Sequence, residues 1–198
     1  MPKSRPPRVG RPIIRDRKES MFDLSHTFVT SDHHFRAWKN CPLHGGSTEE
    51  DEMRQIALWN SVVGKDDRVL YIGDFYDSVP ESSDGAVADL MDLIGKLNGQ
   101  IVLIKGNHEK LDDAIYRLVF RDVMEEMRIN ELKLLLIHKP DKAKLRPGEL
   151  MIYGHEHRGY VPLPTTSDSI CVCAKWHGWK PLSLAEAMRQ MDAASTTP

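Results

Sequence analysis

Residues of metal-ligating type recur at the ends of apolar runs in this 198-residue chain. Asp32-His33-His34 follows HTFVTS, Asp74 follows RVLYIG, and Asn107-His108-Glu109 follows IVLIKG; His138 follows KLLLI, and His155-Glu156-His157 follows LMIYG. Carboxylate, imidazole and amide oxygen together are the donor set of borderline divalent cations, whereas pure Mg²⁺ sites rarely use so many imidazoles. Side chains alternate across an extended chain, so Asp32 and His34 can converge on one ion while His33 points away. His155 and His157 likewise share a face, spaced to serve two neighbouring ions. Glycine precedes the polar residue at Gly73, Gly106 and Gly154, permitting a sharp turn and a close backbone approach. Composition alone would produce this ordered set with a probability of roughly 10⁻⁵ or lower, so coincidence is rejected.

The apolar runs that must position these residues read as buried strands: 26–31, 68–73, 101–105, 133–137, 150–153 and 169–174. Between them lie helical patterns. STEEDEMRQIALWNSVV opens with a capping box, Ser47 and Glu50, and carries Met53, Ile56, Ala57 and Trp59 or Asn60 at helical spacing. DGAVADLMDLIGKLNG stops at Asn98-Gly99, and SLAEAMRQM opens with Ser183 and Glu186. Strands alternating with helices predict a layered α/β or α+β domain, with the polar residues gathered at the carboxy edge of its strands.

Composition excludes several classes. No apolar run is long enough for a transmembrane helix, so no membrane partner is expected, and the basic, proline-rich start lacks the apolar stretch of a secretory signal. Three cysteines argue against a disulfide framework and for a reducing cytoplasm. The net charge of −2 divides into +5 for residues 1–20 and −7 for the remainder. So acidic a body is a poor general nucleic-acid binder, leaving the 1–20 arm as the segment able to touch DNA or RNA phosphates. Residues 1–20 therefore read as a flexible arm and 21–193 as one domain.

The blocks SDHHF, GDFYD, KGNHEK, IHKP and GHEHRG together resemble the calcineurin-like metallophosphoesterases, most closely the compact bacterial and phage members, over about residues 26–180. The resemblance implies a four-layer α-β-β-α sandwich with a dinuclear metal site at the sheet edge. It assigns Asp32, His34, Asp74 and His157 to the first ion, and Asp74, Asn107, His138 and His155 to the second. Two divalent transition-metal ions are implied, manganese first, with iron, zinc or nickel as alternatives. The reaction implied is hydrolysis of a phosphate ester by a metal-bridging hydroxide, with His108 facing the substrate, either to protonate the leaving oxygen or to stabilise charge on the phosphoryl group, and Glu109 orienting its ring. Asp74 leads into FYDSVP and His138 into KP, without the Arg-Gly and Gly-Gly extensions of the phosphoprotein phosphatases, so a phosphodiester is favoured over a monoester. Ala37 stands where compact relatives often carry a further histidine; Arg36, Lys39 and Arg158 are the candidate substrate contacts. The alternatives are a nuclease using the basic arm, and a non-catalytic scaffold retaining the fold.

Other residues carry plainer readings. His26 and His44 are surface or strand histidines, and His33 is structural. His177 either lines the cleft or packs in an aromatic cluster. Cys171 and Cys173 belong to a buried strand, Trp59 to the core, and Asp66, Asp67 and Asp77 to loops or turns.

Overall fold

Nine strands and four α-helices make up the described part of the chain, which in the computed structural model comprises residues 23–37, 48–78, 82–157 and 161–196. The arm 1–20, Lys39, Cys41, His44, Ser47 and Arg158 lie outside the described residues.

The first sheet joins β1 (Thr27–Thr30), β2 (Arg68–Ile72), β3 (Gln100–Ile104), β4 (Asp122–Met124) and β9 (Leu182–Ser183), in the order β4-β3-β2-β1-β9. Strands β1 to β4 are parallel, so the carboxy ends of β1, β2 and β3 emerge along one edge. The second sheet has the order β5-β6-β7-β8, from β5 (Glu126–Ile129), β6 (Leu134–Ile137), β7 (Leu150–Tyr153) and β8 (Ser169–Cys171). Its β6, β7 and β8 are also parallel. A bridge between Ser31 and Cys173 ties the carboxy ends of β1 and β8 together.

Alternation along the strands builds two cores. Val69, Tyr71, Ile101 and Leu103 meet the helices α1 (Glu49–Asn60), α2 (Ser83–Lys96) and α3 (Asp113–Val119). Their neighbours Leu70, Ile72, Val102 and Ile104 turn the other way, against Leu134, Leu136, Ile152 and Ile170 of the second sheet. Helix α4 (Leu184–Ser195) completes this second core with Leu184, Ala187 and Met191. Each fully buried leucine or isoleucine contributes about 1.5–3 kcal/mol, and this two-sided core holds the strand ends rigidly beneath the site.

The start of α1 corrects the predicted box. Thr48 is the cap, its hydroxyl accepting from the Asp51 N–H while the Asp51 carboxylate accepts from the Thr48 N–H, one position later than Ser47 and Glu50. The inward face is then Glu52, Gln55, Ile56 and Trp59, leaving Met53 exposed. Glu52 points inward because its carboxylate meets Arg36. Short elements escaped the sequence patterns: β4, β5, β9 and α3.

Candidate metal centre

The loops after β1 and β2 run side by side. Asp32, His34 and Phe35 donate backbone N–H groups to the carbonyls of Gly73, Asp74 and Phe75, and Asp77 returns one to Phe35. Asp32, His34, Asp74 and His155 all adopt left-handed backbone, with φ of 58°, 50°, 56° and 71°. At non-glycine residues this costs on the order of 1–3 kcal/mol each, a strain tolerated here because the paired loops over-determine it. The shared face of Asp32 and His34 thus comes from kinked backbone, not from the extended strand the alternation assumed. Gly106 and Gly73 permit the closest approaches: a Cβ would lie 2.2 Å from Asp74 Oδ1 at the first and 2.3 Å from His138 Nδ1 at the second, and at Gly154 it would lie 2.7 Å from Asp32 Oδ2.

Three clusters of ligand-type residues result among the described residues, and two of them share Asp74; His34, Asp77 and His108 form the third. Ligand atoms of Asp32, His34, Asp74 and His157 all lie within 4.8 Å of one another, as do those of Asp74, His138 and His155. In the first, His34 Nε2 and His157 Nε2 are 3.2 Å apart, and His157 Nε2 is 3.8 Å from Asp32 Oδ1. In the second, His138 Nε2 lies 3.3 Å from both Asp74 Oδ2 and Asn107 Oδ1. Donors held at ~2.1 Å from a common cation sit about 3.0–3.4 Å apart, so these spacings fit divalent ions with little adjustment.

Electrostatics agrees. The Ile72 carbonyl accepts from His138 Nδ1 at 2.9 Å, which leaves Nε2 facing Asp74. Burial lowers the His138 pKa, but the Asp74 carboxylate outweighs it and pushes the ring up to about 9. Burial likewise raises Asp74, yet His138 foremost brings it below the usual carboxylate range. The proton on Nε2 stands in for the cation that would displace it.

Asp77 is the residue of the third cluster that sequence reasoning missed, taken for a turn residue. Its Oδ1 lies 3.1 Å from His108 Nδ1 and its Oδ2 3.4 Å from His34 Nδ1. Burial raises its carboxyl, but His108 and His34 prevail and hold it below the usual range. In return Asp77 raises the His108 pKa. The signal was the spacing in GDFYD, which returns a second carboxylate over the ligand loop.

Two expected roles are corrected. Glu109 does not orient His108; its buried carboxylate accepts from the N–H groups of Gly106, Asp74 and Phe75 at 2.6, 2.9 and 2.7 Å, pinning the two ligand loops together. Arg36, expected at the substrate, is turned into the protein. Only 4% exposed, its guanidinium meets Glu52, Asp89 and Asp92 at 2.6, 3.2 and 2.5 Å, because a buried cation so ringed by carboxylates stays with them. His33 is structural: Tyr71 Oη accepts its backbone N–H and lies 3.0 Å from Nδ1, and the ring stacks on Phe35. His26 is exposed beside Asp67, and His177 Nε2 donates to the Cys171 carbonyl behind the cleft. Cys171 and Cys173 are buried free thiols at the end of the second sheet.

Two parallel sheet edges thus converge on paired imidazole–carboxylate clusters that could each hold a metal ion. Residues 26–147 match the family model of calcineurin-like phosphoesterases, and the chain belongs to that family. An uncharacterized protein of Methanocaldococcus jannaschii is 30% identical over 165 residues, covering 79% of this chain and 86% of its own. The Gene 66 protein of Mycobacterium phage L5 is 28% identical over 167 residues, covering 68% and 78%. A crystal structure of a protein of unknown function from Aquifex aeolicus shares the fold at 18% identity, with a TM-score of 0.54 over 81% of this chain and 96% of that one. Members of the family usually bind two divalent metals, and the two clusters sharing Asp74 are the candidate ligand sets for them. Among the described residues no helix is long and apolar enough to cross a membrane.

Proposed function

We propose that this chain hydrolyses a phosphate ester, a phosphodiester in preference to a monoester, on two divalent ions, with manganese the expected metal. The observation that carries this reading is the shared Asp74: one carboxylate serves both ligand clusters. Asp32, His34 and His157 complete the first cluster; Asn107, His138 and His155 complete the second. Bound there, two divalent ions would supply a nucleophile from water at neutral pH and positive charge against the phosphoryl oxygens. The chain's own residues do the rest. His108 is 27% exposed at the rim, with Nδ1 held by Asp77, so Nε2 is the atom that delivers a proton to the leaving oxygen. Asp77 favours the protonated form of that imidazole and orients it, and Glu109 keeps the ligand loops in register. A monoester dianion calls for further cationic clamping. Arg36, the arginine within the ligand loop, is occupied by carboxylates, which favours the singly charged diester. Free buried Cys171 and Cys173 suit a reducing cytoplasm.

The test uses metal-stripped protein, Mn²⁺, and the p-nitrophenyl diester and monoester of phosphate. Metal-dependent release of nitrophenol, with higher kcat/KM for the diester, is expected; Asp74→Asn should abolish it and bring bound metal below two per chain. Absence of turnover with Mn²⁺, Fe²⁺, Zn²⁺ and Ni²⁺ alike would overturn the reading and favour a non-catalytic scaffold.

A further inference from the structure

Asp32 reaches the site with one oxygen turned toward the imidazoles and the other turned into the protein. Oδ1 faces His157 Nε2 at 3.8 Å. Oδ2 is packed against the end of the second sheet, where the His155 N–H lies at 3.0 Å and Cys173 Sγ also at 3.0 Å. The His155 N–H is shared with Oδ1 at 3.2 Å, whereas the sulfur bonds to Oδ2. An ionised carboxylate only accepts, so the hydrogen between the two belongs to the thiol. Cys171 Sγ lies 3.3 Å from Cys173 Sγ and 3.9 Å from the Glu156 carbonyl, so its own hydrogen has an acceptor apart from Cys173.

The thiol has little freedom to be elsewhere. Cys173 is fully buried, and its backbone is stitched to the residue preceding Asp32: Ser31 donates to the Val172 carbonyl at 3.1 Å, and Ala174 donates to that of Ser31 at 2.9 Å. This is the bridge at which the second sheet joins the first. Side chain and carboxylate are therefore set by the same backbone pairing.

We propose that Cys173 is a positioning residue for Asp32: its S–H and the His155 N–H occupy both lone pairs of Oδ2, leaving Oδ1 alone to bind the first cation. This inference rests on the reading of Asp32 as a metal ligand. Without the thiol, Oδ2 keeps one donor and the carboxylate gains freedom to rotate or chelate. Loss of a hydrogen bond that orients a ligand typically lowers metal affinity by about 10–100-fold.

The experiment is calorimetric titration of metal-stripped full-length protein with Mn²⁺. Wild type should bind two ions. Cys173→Ala should weaken one of them by about 10–100-fold and leave the other within about threefold, while Cys173→Ser, which keeps a donor, should stay near wild type. Cys171→Ala deletes the same sulfur from the same core without touching Asp32, and should leave both affinities unchanged. If Cys173→Ala unfolds at the assay temperature, Cys173→Val fills the space without a donor and must show the same loss. Unchanged binding in the donor-free variant, or an equal loss in Cys171→Ala, would show that Cys173 is only packing. Two ions in wild type and one in Asp32→Asn, with Cys173→Ala unaffected, would sink this inference alone; no bound Mn²⁺ in wild type would remove the ligand reading as well.

Discussion

Asp77→Asn is the sharpest probe of how the site handles protons. The substitution keeps the shape of the side chain and removes its charge. Two contacts are at stake, to His108 Nδ1 at 3.1 Å and to His34 Nδ1 at 3.4 Å. Side chains 27% and 16% exposed make the His108 pair neither a fully buried nor a solvated one. A charge-assisted hydrogen bond in such a setting is worth about 1.5–3 kcal/mol, which corresponds to roughly 10–150-fold in rate if it acts in the transition state. The His34 contact adds a loss of metal affinity, so the assay is kcat/KM for a diester under saturating Mn²⁺, followed across pH. A general acid must hold its proton, and activity therefore falls as pH rises through the His108 pKa. Asp77 raises that pKa, so in Asp77→Asn the fall should begin at lower pH. Because Asp77 acts through His108, it should matter much less in a His108→Ala background. Full additivity of the two substitutions, or a pH profile that does not move, would refute the dyad.

Two further outcomes test the surroundings of the site. Arg36→Ala should cost about 3 kcal/mol of stability in urea unfolding, the low end for a broken buried ion pair because Asp92 is half in solvent. KM for the diester should hardly change; a raised KM at unchanged stability would restore Arg36 as a substrate contact. Burial holds the His33 pKa at about 3 against an ordinary 6.5, so the folded ring is neutral while the unfolded one takes up a proton below that value. Stability should therefore drain away as pH falls from 6.5 toward 3, by about 2 kcal/mol at pH 5 from this ring alone. His33→Phe should show a correspondingly smaller loss between pH 7 and pH 5, and parallel curves for the two proteins would contradict the assignment.

What sequence could and could not disclose follows from how far each residue's partner lies along the chain. Asp32, His34, Asp74, Asn107, His138, His155 and His157 announce themselves because each closes an apolar run, and a parallel sheet carries such ends to one edge whatever lies between. The six strands so read are all present, the one at 150–153 with its bounds unchanged and the other five with at least one end shifted. Roles set by a tertiary partner were invisible or misread. Arg36 looked available because it follows the ligand motif, but Glu52, Asp89 and Asp92 claim it from two helices. Glu109 looked like the partner of its neighbour His108, whereas it holds backbone 34 and 35 residues away. Cys173 reaches Asp32 across 141 positions. Asp77 is the intermediate case: near Asp74 in sequence, it gains its meaning only when the β2 loop zips against the β1 loop and sets it beside His34 and His108. The candidate ligands are thus a property of strand ends, while the groups set against them are a property of the packing between the loops and between the sheets. Substitutions at the ligands should remove metal, and substitutions at Asp77 and Cys173 should instead retune a centre that still forms.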